Sequence, residues 1–401
     1  MLKKIIHTVS GSAASAIANL IGYPLIIVLY TSTDYGFFAL FLIPATIISS
    51  FSLLKLDILV ATVEPEEYPI VELYSLWLSL IFTIACFFIS LIYFIKMGDT
   101  SIVSKAILSS VYLFLFQNFT FKNALNISAG NTALVGIVMF IYSVLTVTMQ
   151  AFFSMFFNNE FGLIYGLNIS LFIANIIYLY ISKSNPFLNL TLSSLKGIIR
   201  FIKINSKIVY PSTTQGILNS MSVSFHTLVV SYLGGAQLVG VFNLCMKILM
   251  VPIRVFSSNI RQIMTRNFAD STDPQTNLKV VKKLTLIMAI LSFVIFAITN
   301  AIFINYYSYL PKGWQEIGIV IFPISIWLAF AFIYSPALAY MTSRQENYKY
   351  LVFEAFNLLS RVVVGVSFII MEYEPVMYLY ASSLMSALLI LVLIKSIIWK
   401  T

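Results

Sequence analysis

Runs of about twenty apolar residues, parted by short polar breaks, recur along the whole chain. They fall near 8–30, 37–60, 72–95, 104–125, 130–156, 161–182, 211–233, 240–262, 282–305, 315–340, 348–371 and 375–398. Twenty apolar residues in a helix span the hydrocarbon core of a bilayer. Each run is continuously apolar rather than alternating, which predicts helices and not the strands of a membrane barrel. The breaks at 31–36, 64–69, 234–240 and 372–375 carry Gly, Pro, Asp or Glu and predict turns. The stretch Ile5–Tyr30 follows Lys3 and Lys4 and is too long for a cleaved leader, so it reads as the first helix. The pattern therefore predicts an all-α membrane protein of about twelve transmembrane helices.

Composition agrees. Of 401 residues 60% are hydrophobic and 10% charged, and mean hydropathy is +0.94. Soluble domains hold about 25% charged residues, so this chain has too few to solvate a surface in water. The net charge of +9 belongs to the membrane edges and predicts no nucleic-acid partner. With the N-terminus inside, 17 Lys and Arg fall on one face, and Lys96, Lys105 and Lys312 on the other. The positive-inside rule then places both termini in the cytoplasm. The acidic break from Val63 to Glu72 falls on the same inner face, where carboxylates have little weight in orientation.

Cys86 and Cys245 lie in apolar segments of different halves, with no disulfide framework or metal spacing. No phosphate-binding loop, zinc motif, nucleophile elbow or dinucleotide fingerprint is present. No cofactor, metal or catalytic residue is expected, and the chain reads as a non-enzyme.

The longest connector, 183–210, is basic, and its LKGIIRFIKINSKI stretch predicts an amphipathic helix on anionic lipid. It divides the chain into an N-terminal six-helix lobe (1–182), a linker (183–210) and a C-terminal six-helix lobe (211–401). A shift of 204 residues lays Leu29, Gly36, Phe38 and Leu40 on Leu233, Gly240, Phe242 and Leu244. Six helices per half keep both halves pointing the same way, so the lobes form a parallel repeat about a pseudo-twofold axis along the membrane normal. The same shift lays Gly11, Ser15, Ala18 and Gly22 on Gln215, Asn219, Ser222 and His226. These matched stripes predict that the first and seventh helices face a central cavity. The small residues of the first leave room for cargo or for close backbones, and the polar ones of the seventh line a wall or join helices.

Ionisable groups inside a span are costly and mark function by default. Asn243, Lys247, Arg254 and Arg261 lie four, seven and seven residues apart, on one face of the eighth helix. Such a stripe suits a phosphate or diphosphate, though Arg254 and Arg261 are also placed to snorkel to the interface. Glu354, Asn357 and Arg361 share a face of the eleventh helix, with Asn357 able to bridge the two charges. They form either a structural polar cluster or an anion-binding Arg361 beside a protonatable, ion-coupling Glu354. Asn219 and His226 are candidate sugar contacts, Lys122 with Asn118 and Gln117 is another candidate, and Asp57 beside Lys55 is a second coupling carboxylate or an interfacial residue.

Several segments resemble the polysaccharide-transporter branch of the multidrug/oligosaccharidyl-lipid/polysaccharide exporter superfamily, the O-antigen repeat-unit flippases often called Wzx. They are IGYPLIIVLYTSTDYGFFALF, KLDILVATVEPEEYPIVELYSLWLSL and, above all, VSYLGGAQLVGVFNLCMKILMVPIRVFSSNIRQIMTRNF. The resemblance implies a two-lobe fold and alternating access. It implies a cationic cavity for an undecaprenyl-pyrophosphate-linked oligosaccharide moved from the cytoplasmic to the periplasmic leaflet of a bacterial inner membrane. It places cavity residues on Lys247, Arg254 and Arg361. The partners it implies are that substrate, the bilayer, and the polymerase and chain-length regulator of the same pathway. Related lipid II flippases have fourteen helices and a first-half arginine cluster, and this chain departs from both. The alternatives are a multidrug or cation-coupled exporter of the same superfamily and an O-antigen polymerase, whose large periplasmic loop has no counterpart here.

Overall fold

The computed structural model describes residues 2–61, 63–182, 193–253, 264, 268, 274–344 and 347–398. Its first half runs through α1 (Leu2–Leu29), α2 (Ser32–Phe41), α3 (Ile43–Ser52), α4 (Leu56–Leu59), α5 (Tyr68–Lys96), α6 (Ile102–Ser128), α7 (Thr132–Ser154) and α8 (Glu160–Ser182). Then come α9 (Ser193–Ile204), α10 (Ser206–Pro252), α11 (Pro274–Tyr306), α12 (Ile317–Ile333), α13 (Ser335–Ser343), α14 (Asn347–Ile370) and α15 (Pro375–Ile398). Ten stretches among the described residues are long and apolar enough to cross a membrane. One of them, Val209–Pro252, has 44 residues, about 66 Å of helix and enough for two crossings. With α1, apolar over Ala13–Leu29, these account for the twelve positions read from the sequence. The chain is an all-α, multi-pass membrane protein.

The break expected at 234–240 is a single residue. Gly235 alone leaves helical geometry, at φ 71° and ψ −176°, a conformation open to glycine and costly to other residues. The second span is interrupted instead: Leu54 (φ 46°) and Lys55 (φ 60°) take left-handed backbone between α3 and α4.

By its contacts the chain divides into two compact units, the first of residues 1–29 and 38–220, the second of 30–37 and 221–401. In the first, α1 lies along α7, α5 along α6, and α8 against α6 and α7. The small face of α1 is occupied by α7: Ser15 and Ser143 hydroxyls meet at 2.5 Å, Asn19 donates to Ser143 at 3.1 Å, and a Cβ on Gly22 would fall 2.3 Å from Val147. Small residues let helices approach where lipid supplies no hydrophobic drive. That face therefore serves helix packing rather than leaving room for cargo.

The amphipathic stretch is helical as α9, but protein covers part of its apolar face. Ile198 is buried, Phe201 lies 5.9 Å from Tyr74 of α5, and Ile199 and Ile204 stay exposed. At the other end of α5, Lys105 reaches Asp99 at 2.5 Å and Glu160 at 2.9 Å, clasping the 97–101 turn to the start of α8. Burial pushes the Asp99 carboxyl up, but hydrogen bonds from Lys105 and Ser101 outweigh it and hold the group below its ordinary range.

In the second unit, Thr31 and Asp34 cap the start of α2, each side chain bonding the other residue's backbone N–H at 3.1 Å. Buried Trp314 donates to the Tyr30 carbonyl at 3.0 Å and meets Tyr35 edge-on. Gly36 and Gly240 then come together in mirrored fashion. A Cβ on Gly36 would lie 1.7 Å from the Ala236 carbonyl oxygen, and one on Gly240 would lie 1.8 Å from that of Ser32. Both pairs, 32 with 236 and 36 with 240, differ by the 204 residues of the internal repeat.

Candidate functional site

The second unit holds a buried polar chain built on α14. Arg361 is 2% exposed, with its guanidinium 4.1 Å above the Trp327 ring of α12. Its Nε and Nη2 donate to Ser386 Oγ of α15 at 3.4 and 3.3 Å. Ser386 donates in turn to Asn357 Oδ1 at 3.2 Å. Glu354, also buried, hydrogen-bonds with Asn357 and Tyr350. Asn357 thus links the two charges, as its position on one face with them predicts, but through Ser386, which the sequence reading missed. His226 of α10 closes the far side, with Nδ1 2.7 Å from Tyr378 Oη and its ring against Phe242 and Trp327. Burying a guanidinium and a carboxylate costs several kcal/mol each unless paired and hydrogen-bonded, and this chain supplies most of that compensation. Three atoms stay without a hydrogen-bond partner: Glu354 Oε2, Arg361 Nη1 and His226 Nε2. In this arrangement Arg361 serves the interior; it is not an open anion ligand.

Lys247 is placed differently. It is half-buried, with its ammonium 4.9 Å over the Tyr35 ring. Asn243, one turn earlier, donates its amide back to the Val239 carbonyl at 3.0 Å. Arg254 and Arg261, the other members of the predicted stripe, lie outside the described residues. Asn219 is exposed and belongs to the first unit, whereas His226 belongs to the second.

The remaining candidates lie in the first unit. Lys122 is 5% exposed, its Nζ without a hydrogen-bond partner and under the field of Glu72. Glu72, read from the sequence as part of an acidic connector, lies inside α5 and is buried. Asp57 and Lys55 line a small cavity with Gln117. The two carboxylates singled out for coupling, Glu354 and Asp57, thus occupy different units.

No family model matches the chain, and no curated protein matches it. Solved structures do. A MOP superfamily transporter from Pyrococcus furiosus, described as having a binding pocket of reversed polarity that suggests a different function, is similar at 15% identity and a TM-score of 0.66, over 99% of this chain and 93% of that one. An outward-facing multidrug resistance MATE family transporter of the same superfamily is similar at 15% identity and a TM-score of 0.65, over 99% and 94%. A MATE protein in complex with MaL6 is similar at 16% identity and a TM-score of 0.64, over 99% and 94%. At such identities the likeness establishes the fold: this chain has the all-α fold of the MOP superfamily transporters.

Proposed function

We propose that this protein is an alternating-access transporter whose cargo is an anionic amphiphile, a diphosphate-linked oligosaccharide on a polyprenyl chain, moved between leaflets. The observation that carries the reading is Lys247, a half-buried cation within a membrane-spanning helix, held over Tyr35 in the second unit. Moving a diphosphate through hydrocarbon unaided is prohibitive, and a fixed ammonium replaces part of the solvation that water gave it. Arg254, seven residues on in the sequence, belongs by its spacing to the same predicted stripe as Lys247. Arg361 and Glu354 act from behind as a buried charge pair, with Glu354 as the coupling carboxylate.

The test uses purified protein in vesicles containing a fluorescent polyprenyl-diphosphate sugar, with a membrane-impermeant quencher reporting the leaflet. Wild type should accelerate exchange, Lys247→Gln should slow it at least tenfold, and Lys247→Arg should retain most of it. Equal rates for wild type and Lys247→Gln would overturn the assignment.

A second reading, export of cationic drugs, draws on the multidrug resistance transporters among the similar structures. It predicts the opposite sign of cargo. Vesicles that move a cationic dye and leave the diphosphate lipid in place would establish it.

A further inference from the structure

We propose that the groove between α14 and α15 is a binding site for one anionic phospholipid, with a hydrocarbon chain along the groove and the phosphate beside Lys349 and Lys395. The groove has a volume of about 350 Å³, within the roughly 300–1,000 Å³ range of small-molecule sites. Val352, Phe353 and Phe356 of α14 line it with Leu389, Val392 and Leu393 of α15. The two helices leave the 371–374 turn antiparallel, so the lining runs from Phe356 and Leu389 at the inner end to Lys349 and Ser396 at the outer end. Tyr348 to Phe356 is eight residues, about 12 Å of helix. A volume drawn out over that length has the form of a hydrocarbon chain, not of a compact ring.

Polarity is sorted along the groove. Its inner part is apolar, and Tyr348, Lys349 and Ser396 lie together at the outer end, next to the exposed Lys395. Both lysines fall within one turn of a helix end, the level at which a span meets the headgroups. An amphiphile is sorted in the same way, and two ammonium groups select an anionic head. Each lysine near an anionic lipid surface favours it about fivefold, so two favour it by more than tenfold.

Depth sets this groove apart from ordinary lipid-facing surface. Val392 and Phe356 on its rims are 65% and 57% exposed, while Phe353 and Leu393 in its floor are 9% and 7% exposed. A chain between the rims is touched on three sides and gains dispersion contacts that a flat surface does not offer. The floor belongs to the core of the second unit: Phe353 stacks on Tyr350 at 6.0 Å, and Tyr350 hydrogen-bonds with Glu354. A chain in the groove therefore braces the helix that carries the buried polar chain.

The lipid-linked cargo of the transport reading also offers a chain and a phosphate. The groove favours a resident phospholipid because its cations stay at headgroup level, whereas Lys247, on which that reading relies, sits within a span. The inference does not rest on the transport reading.

Native mass spectrometry of the full-length protein in detergent counts retained phosphatidylglycerol against phosphatidylcholine of the same chains. Wild type should hold one phosphatidylglycerol with at least tenfold preference. Lys349→Gln combined with Lys395→Gln should reduce that preference to about twofold or less. Val392→Trp places an indole in the groove from a lipid-facing position and should lower retention at least tenfold. Leu384→Trp adds the same bulk at a residue that is 50% exposed and outside the groove, and should keep it. Phosphatidylglycerol should raise the unfolding temperature of wild type and Leu384→Trp but not of Val392→Trp. Lys247→Gln should still hold the phospholipid while slowing transport, so that failure of either reading shows by itself. Equal retention of the two phospholipids by wild type, or an unaltered preference in Val392→Trp, would sink the proposal. Displacement of phosphatidylglycerol by an equal concentration of polyprenyl phosphate would do the same, by making the groove a seat for cargo.

Discussion

Replacing Arg361 by methionine tests whether the buried chain of the second unit is one energetic object. The side chain loses its position 4.1 Å above Trp327, a contact of about 2 kcal/mol when desolvated. It also loses two hydrogen bonds to Ser386, which at 3.3 and 3.4 Å are long and share one acceptor. The larger loss is indirect, since Glu354, linked to Arg361 through Asn357 and Ser386 and favoured by its field, remains buried with that positive charge gone. Removing one partner of a buried pair costs about 3–5 kcal/mol. Glu354→Gln is milder, about 1–2 kcal/mol, because the amide oxygen still accepts hydrogen bonds. The double variant strands neither charge and should fall short of the sum by about 1–3 kcal/mol. The assay is thermal unfolding of the four purified proteins in one detergent. At about 2–4 °C per kcal/mol for a unit of 150–250 residues, Arg361→Met should lower the midpoint by about 6–20 °C, and the double variant should recover part of it. Additivity within about 0.5 kcal/mol would refute the coupling and reduce the Asn357–Ser386 bridge to coincidence.

Two further outcomes follow from the fold. Gly36→Ala and Gly240→Ala each drive a Cβ to under 2 Å from a backbone carbonyl, so each should destabilise the second unit by about 1–3 kcal/mol or more, read as a lower unfolding temperature; an unchanged midpoint in either would refute the close approach. The Lys105 clasp should respond to acid: because the folded Asp99 carboxyl sits below its unfolded value near 4, its contribution is present above about pH 4 and is lost as pH falls through the folded value. Lys105→Met should flatten that dependence, measured as unfolding temperature against pH; an identical profile in the variant would assign the acid response elsewhere.

The spans were legible because a continuous apolar run long enough to cross a bilayer has few other folded fates. The interruptions were not. Gly235 breaks α10 in one residue where the sequence offers seven turn-like positions, and the Leu54–Lys55 break carries no glycine or proline to announce it. Glu354, Asn357 and Arg361 were found by spacing on one helix. Their partners were not, because Trp327 and Ser386 lie on other helices, and periodicity on one helix says nothing of what meets it. The Ser382, Ser383 and Ser386 cluster, all three buried, was the available signal. The α1 stripe shows the converse: small residues announce close approach but do not name the neighbour, and that neighbour is α7.

The mirrored meeting of Gly36 and Gly240 has a consequence for the chain's origin. A contact in which residue i meets j while the counterpart of i meets the counterpart of j is isologous, the geometry by which two copies of one polypeptide associate. Here both copies lie on one chain, with Gly36 facing Ala236 and Gly240 facing Ser32. A half-length ancestor carrying the Ser32–Gly36 segment would have presented this same surface to its twin, so that duplication and fusion inherited a self-complementary interface instead of having to invent one. Divergence between the halves is then free to erase nearly every other match, while a methyl group at either glycine stays forbidden by the carbonyl facing it.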